Sequence, residues 1–559
     1  MIMQFFKSLT AIIMTVVTFF GSVWNAGINL VNSYKFTVDT SDIGEMLVNP
    51  ASNINIWSIQ GNPFVGVKAD EEYNIFEFVE YVQLMQCTGG NADRDLFKDP
   101  YDKTVLDDYD FTKLIDNCRG VLELGAKPML KLGSVPMKYS ANALTGKDFG
   151  TNIYPPDDYD VYYNYIAAIA QALVDEFGRD EVLSWRFGVM TEYENAQWFM
   201  APSEKPEDAA VEYCKLYDYT VQALIDVIGE DVFVGAHAMV VTEGHWDERE
   251  FIKHCANGTN YKTGEKGSRI CYLAASFYDY APGEETSGMN FEKTMKHLKK
   301  AADKAGLKDL IFGVDEGRLL VGNNWGAIDN QLLSRTVGYT YQAAYDARIY
   351  RTMFNNSINY FSSWDYLSDG LLTGNPTVSY HVARNAAKFD GSNLVRTRKT
   401  YRALFPNIEV DAVSAYNEET QTVHIMAYNY KNTVDYQNEA KLSFKVKMPQ
   451  FDCNKVKVTA YVVDDDCNYF DEWQEDRVKY GIGDDCFAWS PDDPILGSET
   501  TLSAGWAREF YFNELESKYR ECSRLEPQTF EAEVENGKVL LNITLDPNAV
   551  VFYEITPVK

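Results

Sequence analysis

Short apolar segments with strand-like composition recur through residues 55–364, and most of the gaps between them have the periodicity of an amphipathic helix. In residues 159–177, apolar side chains recur on one helical face, and Gly178 follows as a stop signal. Residues 291–305 repeat this pattern, with Gly306 after them. Eight strands alternating with helices predict a (β/α)8 TIM barrel over residues 50–395. The candidate strands are NIWSI (55–59), YVQLMQ (81–86), KPMLKLG (127–133), VLSWRFGVM (182–190), DVFVGA (231–236), ICYLAASF (270–277), LIFGVD (310–315) and SINYFSSW (357–364).

After residue 395 the helical pattern gives way to segments that alternate apolar and polar residues with a period of two. This alternation predicts an antiparallel β-sandwich over residues 396–559, and the strand-like residues 30–50 are assigned to the same accessory domain. The predicted fold class is therefore α/β, a TIM barrel with a C-terminal antiparallel β-sandwich. Residues 465–525 are irregular and rich in Asp, Trp and Tyr, which makes them a candidate to reach over the barrel mouth.

The N-terminal residues have the composition of an export signal. Lys7 precedes the apolar run LTAIIMTVVTFF (9–20), which is too short to span a bilayer comfortably. Residues 1–26 are therefore predicted to be a signal peptide, and the protein is expected to be secreted or held at the cell surface. Cleavage of this segment, its retention as an anchor and a buried N-terminal helix all stay open.

Composition excludes several classes of partner and cofactor. The net charge of −31 disfavours binding to nucleic acid or to anionic membranes. The nine cysteines form no CxxC pair and no zinc-type spacing with histidine, and the chain has no HExxH, P-loop or EF-hand motif, so neither a metal nor a cofactor is predicted. Their odd number and scatter argue against a disulfide framework, although one or two bridges in the C-terminal third stay open. The oligomeric state is left open as well.

Two carboxylates follow predicted strands at the ends that would face a common pocket. Glu192 ends the segment LSWRFGVMTE (183–192), and Glu316 ends IFGVDE (311–316). The C-terminal ends of TIM-barrel strands carry the active site, and hydrolysis of a glycosidic bond requires a pair of carboxyl groups. Asp315 precedes Glu316, and because neighbouring strand residues point to opposite faces, only one of the two is expected to face the pocket. The predicted reaction is therefore glycoside hydrolysis by Glu192 and Glu316.

Several longer segments resemble one protein family. The segments GAKPMLKLGSVPMKY (125–139), WRFGVMTEYENAQWF (185–199), INYFSSWDYLSD (358–369) and VDDDCNYFDEWQE (463–475) are similar to segments of glycoside hydrolase family 39, the β-xylosidase and α-L-iduronidase family of a retaining (β/α)8 clan. The resemblance implies that Glu192 is the acid/base and Glu316 the nucleophile of a double-displacement reaction. It also implies that Tyr278 bonds to the nucleophile and that Trp364 forms the floor beneath the −1 sugar.

The pocket residues depart from the family pattern. Thr191 stands where the clan has the asparagine that binds the sugar 2-hydroxyl, and a hydroxyl makes fewer hydrogen bonds than an amide. Ser276 and Phe277 stand where strand six would carry a histidine. The second strand leads into a tight loop with Asn91 and Arg94 in place of an Arg-x-His motif, and both are candidate substrate contacts. For Arg94, pairing with a nearby aspartate is the alternative.

The sequence thus predicts a retaining glycoside hydrolase that is exo-acting on a β-linked sugar, in the manner of a β-xylosidase, with an oligo- or polysaccharide as substrate. His237, at the end of the fifth predicted strand, is a further candidate for the pocket, with a packed or solvated histidine as the alternative. The changed contact to the 2-hydroxyl leaves two other interpretations open. One is hydrolysis of another glycoside, such as an arabinoside, galactoside or uronide, and the other is an inactive barrel that binds glycans.

Overall fold

The computed structural model describes residues 32–56, 73–146, 150–240, 243–279, 290–319, 340–363, 375–400, 408–433, 435–483, 486 and 504–558. The predicted signal peptide (1–26) and Trp364 lie outside the described residues, so both stay predictions. Within those ranges, no helix combines the length and the apolar character that crossing a bilayer requires. All nine cysteines lie within them, and none forms a disulfide, so the bridges that the sequence left open are not present.

Eight parallel strands close into a barrel, which confirms the predicted (β/α)8 fold. They follow one another in chain order, and the last pairs with the first through Ser362 and Asn53. An earlier strand, β1 (Ser33–Met46), belongs to a different sheet. The barrel strands are β2 (Asn53–Ile56), β3 (Tyr81–Leu84), β4 (Lys127–Leu132), β5 (Arg186–Val189), β6 (Phe233–Ala238), β7 (Tyr272–Asp279), β8 (Ile311–Leu319) and β9 (Tyr360–Ser363).

Helices with one buried apolar face surround the barrel. They are α1 (Thr112–Glu123), α2 (Tyr159–Phe177), α3 (Arg179–Leu183), α4 (Pro206–Val227), α5 (Arg249–Asn257), α6 (Phe291–Ala305), α7 (Tyr341–Asn356) and α8 (Val378–Ala387). At the start of α2 the Asp158 carboxylate accepts from two backbone N–H groups, and Gly178 ends the helix. In α6 the side chain of Asn290 caps the start, and Gly306 ends the helix in the left-handed conformation. Both predicted helices are therefore confirmed.

One predicted strand begins later than the sequence indicated. Residues 182–190 read as a single strand, but the first part of this run belongs to the helical turn α3, and β5 begins at Arg186. The indole N–H of Trp185 donates to a carboxylate oxygen of Glu181 at 3.0 Å, which holds the end of the turn. A short apolar run fits a buried helical turn as well as a strand, so periodicity could not find this boundary.

Large side chains at alternating strand positions fill the barrel interior. One buried cluster inside the barrel consists of Met129, Tyr272, Ala274 and Tyr360. Gly188 of β5 leaves room for this cluster and for the side chain of Lys131. A Cβ atom on Gly188 would contact the hydroxyl of Tyr272 and would lie 2.8 Å from Cδ of Lys131. Glycine at this position is therefore a packing requirement.

The remaining strands form one nine-stranded sheet in the order β15-β14-β17-β12-β11-β10-β1-β13-β16. They are β10 (Asn393–Lys399), β11 (Ile408–Asn417), β12 (Thr422–Lys431), β13 (Ala440–Lys447), β14 (Lys455–Val463), β15 (Gln528–Glu533), β16 (Lys538–Leu545) and β17 (Val550–Pro557). The rings of Phe444 in β13 and Tyr553 in β17 meet edge to face at 5.9 Å, although four strands separate theirs in the sheet. The sheet therefore folds over onto its own core, as in a sandwich. It is not wholly antiparallel, because β1 pairs parallel with β13.

Residues 465–522 are largely helical in their described part, so the irregular structure that the sequence suggested is wrong. The helices are α9 (Phe470–Tyr480), α10 (Gly505–Phe510), a π-helical turn (Tyr511–Leu515) and α11 (Glu516–Cys522). They pack around a small aromatic core that includes Trp473 and Tyr519. We refer to residues 465–522 as the helical insert.

The helical insert contacts residues next to the loops that follow two barrel strands. The guanidinium of Arg520 lies over the ring of Tyr73, 5.5 Å from its centroid. The hydroxyl of Thr340 donates to a carboxylate oxygen of Asp465. Thr340 directly precedes α7, and Asn375, whose amide donates to the Tyr511 hydroxyl at 3.2 Å, lies shortly before α8. Barrel helices begin at the C-terminal ends of the strands, so the insert lies at the C-terminal face of the barrel, where it was expected.

We expect Gly188→Ala to lower the free energy of unfolding by about 1–3 kcal/mol, because the added methyl group overpacks a filled interior. Urea denaturation followed by tryptophan fluorescence would measure the loss. Gly505→Ala is the matched control, since a Cβ atom there meets nothing within 4 Å. Equal stability of the two variants would contradict the packing requirement.

Candidate active site

A β-bulge in β8 turns two adjacent carboxylates into the barrel. Ala275 of β7 pairs with Val314, and the next residue, Ser276, pairs with Glu316, so Asp315 is an extra residue in β8. Only Glu316 faces Glu192 across the pocket, as predicted, but the reason differs, because the bulge and not regular alternation separates the two side chains. Regular alternation is interrupted at the bulge, and the two side chains point inward at successive levels.

A buried network holds Asp315 beneath the pocket. Its carboxylate forms an ion pair with Lys131 of β4, with at most 1% of either side chain exposed, and accepts a hydrogen bond from the Tyr360 hydroxyl at 2.6 Å. Its backbone carbonyl accepts from the amides of Asn55 at 2.7 Å and Gln83 at 2.9 Å. Burial lowers the pKa of Lys131, and the charge of Asp315 opposes that change. Five strands thus meet at one residue, which fixes where the following carboxylate projects.

Glu192 and Glu316 face each other at the C-terminal ends of β5 and β8. One carboxylate oxygen from each, together with one ring nitrogen of His237, lie within 4.8 Å of one another. Only 8% of Glu192 and 9% of Glu316 are exposed. The hydroxyl of Tyr278 donates to Oε1 of Glu316 at 2.8 Å. The structure therefore brings four of the predicted site residues together.

A tight backbone turn presents Glu192 to the pocket. Met190 and Glu192 both have left-handed backbone angles, with φ of +64° and +43°. Gly133, which follows β4, passes close beneath the turn, and a Cβ atom on it would lie 2.8 Å from the backbone nitrogen of Met190. Left-handed backbone is costly for residues other than glycine and concentrates at functional sites. The turn is thus a local sign of function that the sequence pattern did not reveal.

Three hydrogen-bond donors surround the carboxylate of Glu192. The Ser276 hydroxyl donates to Oε1 at 2.6 Å, the Asn195 amide donates to Oε2 at 2.7 Å, and the side chain of Trp198 also bonds to the carboxylate. Burial raises the pKa of Glu192, while these hydrogen bonds and the charge of Lys131 oppose the rise. A carboxyl group with a raised pKa is suited to act as a general acid near neutral pH.

Two of the other predicted substrate contacts, Asn91 and Arg94, form hydrogen bonds within the protein. Thr191 is buried beside Glu192 in the chain. The amide of Asn91 donates to the carbonyl of Gly150 at 3.1 Å, and the guanidinium of Arg94 donates to the side-chain oxygen of Gln86 at 2.8 Å. The predicted roles of Thr191, Asn91 and Arg94 in binding substrate stay predictions.

Sequence reasoning did not select Ser276, Asn195 or Lys131 as functional residues. A signal for Lys131 was present, because a charged residue interrupts the apolar segment KPMLKLG two positions after Met129, on the same strand face. Ser276 was noted only as a departure from the family, although it lies two residues before Tyr278 and therefore on the same face. The position of Asn195 depends on a loop conformation that no periodicity predicts.

Among the described residues, one cluster of ligating side chains could surround a cation, and it is Glu192, His237 and Glu316. Each of these side chains already has a hydrogen-bond partner in the protein, either Ser276 or Tyr278. Paired carboxylates at this separation need no metal to hydrolyse a glycoside. We therefore keep the prediction that the site uses neither a metal nor a cofactor.

Another buried carboxyl group, Glu194, lies two residues after Glu192. Its Oε1 accepts from the backbone N–H groups of Met239 at 2.7 Å and Val240 at 3.0 Å. Its Oε2 has no hydrogen-bond partner within the described ranges. Burial raises the pKa of Glu194 to about 8. Burial therefore favours the neutral form of Glu194, and its hydrogen bonds tie the loop after β6 to the loop after β5.

Comparison with known proteins identifies one matching family model, that of glycosyl hydrolases family 39, over residues 95–477. A β-xylosidase from Caldicellulosiruptor saccharolyticus is 30% identical over 182 residues, which are 32% of this chain and 36% of that protein. The chain thus matches about a third of the length of that relative. An α-1,4-L-rhamnosidase from Formosa agariphila is 22% identical over 423 residues, which are 71% of this chain and 79% of that protein.

Solved structures with the same architecture cover most of the chain. A monomeric β-xylosidase from Caulobacter crescentus superposes with a TM-score of 0.61 at 15% identity, covering 94% of this chain and 100% of that one. A bacterial orthologue of human α-L-iduronidase superposes with a TM-score of 0.62 at 13% identity, covering 94% and 84%. At these identities the similarity shows the fold alone.

We expect Lys131→Met to lower the free energy of unfolding by about 3–5 kcal/mol, because it leaves the Asp315 carboxylate buried and unpaired. The double variant Lys131→Met, Asp315→Asn should recover part of the loss. Lys296→Met is the control, because both side chains of its ion pair with Glu292 are more than half exposed and the pair should contribute at most about 1 kcal/mol. Similar losses in both single variants, measured by urea denaturation, would argue against the network.

We expect the stability of the protein to fall as pH rises from 5 to 8, and Glu194→Gln to weaken that dependence. Folding raises the pKa of Glu194 from 4.5 to about 8, so its contribution to stability is complete below pH 4.5 and is lost as pH approaches 8. One such group changes the free energy of unfolding by at most about 1.4 kcal/mol per pH unit. Denaturation midpoints at pH 5, 6.5 and 8 would test this, with exposed Glu419→Gln as the control. Parallel pH profiles for all three proteins would contradict it.

Proposed function

The chain belongs to glycosyl hydrolase family 39, and from that premise we propose that it hydrolyses glycosidic bonds with retention of anomeric configuration. The observation that carries the proposal is the pair of buried carboxylates, Glu192 and Glu316, with oxygens within 4.8 Å of each other. Retaining enzymes hold their two carboxyl groups about 5–5.5 Å apart, whereas inverting enzymes need about 6.5–9.5 Å to admit a water molecule. The short separation supports a direct attack by one carboxylate.

In the proposed reaction, Glu316 attacks the anomeric carbon while Glu192 donates its proton to the leaving oxygen, and a glycosyl ester forms on Glu316. Glu192, now ionised, then takes a proton from water, which attacks the same carbon and releases the sugar. The environments support this division of roles. Burial raises the pKa of Glu192, as the acid requires, and Tyr278 donates a hydrogen bond that orients Glu316 for attack.

We propose a β-xyloside as the first candidate substrate, cleaved from the end of a glycan chain. The β-xylosidases among the similar proteins support this choice. An α-L-rhamnoside is the second candidate, because the match to the rhamnosidase extends over more of the chain than the match to either β-xylosidase sequence. Thr191 favours a broad screen, since its single hydroxyl replaces the amide that would bind the sugar 2-hydroxyl. Arabinosides, galactosides and uronides therefore stay in the set of candidates.

The first experiment is a screen with aryl glycosides of these sugars on the wild-type protein and on Glu316→Gly. We expect the wild type to cleave one sugar and the variant to lose turnover, because it lacks the attacking carboxylate. Added azide should partly restore the variant and yield a glycosyl azide of inverted configuration. Unchanged turnover in Glu316→Gly would contradict the mechanism.

Glu192→Ala completes the assignment. With an unactivated phenyl leaving group its rate should fall by about 10²–10⁴, the usual contribution of a general acid, and azide should give a product of retained configuration. Glu419→Gly, at an exposed position of a distant hairpin, is the control and should keep wild-type turnover. Glycan binding without cleavage of any substrate would favour the inactive barrel instead.

A further inference from the structure

A hydrogen-bond chain leads from the acid/base into the barrel wall. Ser276 of β7 donates its hydroxyl proton to Oε1 of Glu192 at 2.6 Å, and its oxygen lies 2.8 Å from Nε2 of His237 in β6. Neither Ser276 nor His237 has any exposed surface. These two residues come from the neighbouring strands β6 and β7, and both side chains are fully buried beside the Glu192 carboxylate.

The protons in this chain can be placed from the number of donors. A serine hydroxyl has one proton, and Ser276 gives it to Glu192. The contact between His237 and Ser276 therefore requires Nε2 of His237 to carry a proton and donate it. Nδ1 of His237 has no hydrogen-bond partner in the described part of the chain, and an unprotonated nitrogen is the less costly one to leave there.

We infer that Ser276 and His237 are a positioning pair that orients the Glu192 carboxylate and stabilises its ionised form during turnover. The inference rests on the proposed role of Glu192 as acid and base. Reversing the chain, so that Glu192 donates to Ser276 and Ser276 to His237, would place a proton on Nδ1, where no acceptor meets it. The absence of an acceptor at Nδ1 therefore sets the direction of both hydrogen bonds, from His237 to Ser276 and from Ser276 to Glu192. This direction favours the ionised Glu192 carboxylate, which acts as the base in the second step of the reaction.

Both cationic and anionic groups lie around the Glu192 carboxylate. The titratable and charged groups that face it are Lys131 from β4, His237 from β6, Glu316 from β8 and Glu194 from its own loop. Burial holds the pKa of His237 well below its usual range, so its imidazole stays neutral and acts as a donor without charge. Removing the Ser276 hydroxyl deletes the hydrogen bond to Glu192 and also the acceptor of His237, so His237 is varied separately.

The test measures kcat/KM against pH, with the aryl glycoside that the wild type cleaves best and an unactivated leaving group. Above neutral pH this profile falls when Glu192 loses the proton that it must donate. Ser276→Ala removes a donor to the ionised form, so we expect the alkaline limb to move up by about one pH unit. His237→Leu should move it in the same direction, whereas His237→Gln, whose amide can still donate, should stay near the wild type.

Ser414→Ala is the matched control, because Ser414 is equally buried but lies in the nine-stranded sheet. Its alkaline limb should coincide with that of the wild type. Coincident limbs in Ser276→Ala, His237→Leu and the wild type would overturn the positioning pair, provided that thermal melts show all three folded. A shift in Ser276→Ala that His237→Leu does not share would also overturn it.

A spectroscopic measurement tests the hydrogen-bond chain without requiring that the protein turn over a substrate. The chain has six histidines, so ¹⁵N-histidine spectra of the wild type and His237→Gln identify the signals of His237 by difference. We expect a neutral ring protonated at Nε2 at pH 7, and a ring protonated at Nδ1 would overturn the inference. If the wild type cleaves no glycoside, the proposed function fails by itself, and these spectra still decide the hydrogen-bond chain.

Discussion

The buried ion pair between Lys131 and Asp315 is the interaction on which the geometry of the site depends. Removing two charges from water is costly, and burial of such a pair is poor evidence of stabilisation by itself. Here it has a structural consequence, because Asp315 is the extra residue of the bulge in β8. With Asp315 bound at the barrel centre, the strand cannot return to regular alternation, and Glu316 projects toward Glu192. The ion pair therefore holds the bulge in β8 that places Glu316.

The same cation also influences the chemistry above it. The charge of Lys131 opposes the rise in the pKa of Glu192 that burial causes, and it interacts with the charge of Glu316. The two carboxylates nevertheless have different surroundings, since Glu192 accepts from a serine, an amide and an indole, whereas Glu316 accepts from a tyrosine. Different environments for two carboxyl groups are how enzymes of this kind separate the acid from the nucleophile.

Much of this arrangement could be predicted from the sequence, because strands and helices of a barrel alternate with distinct periods and Glu192 and Glu316 end two of the predicted apolar segments. The side of β8 on which Asp315 lies could not be predicted, because strand periodicity assumes that no residue is inserted. The ion-pair partner of Lys131 could not be predicted either, because it is 184 residues away in the chain. The helical insert escaped recognition because its helices are short and a π-helical turn interrupts their period.

The position of β1 has a consequence for how the chain is made. Its partners in the sheet are β10 and β13, and a side-chain contact between Asp39 and Lys447 joins residues 408 positions apart. At about 5–20 residues per second, a ribosome needs roughly 20–80 s to deliver those partners. During that time the barrel can fold, but the first strand keeps two unpaired edges, which are prone to aggregate. In newly made protein, β1 should therefore need protection until β10 and β13 have been synthesised.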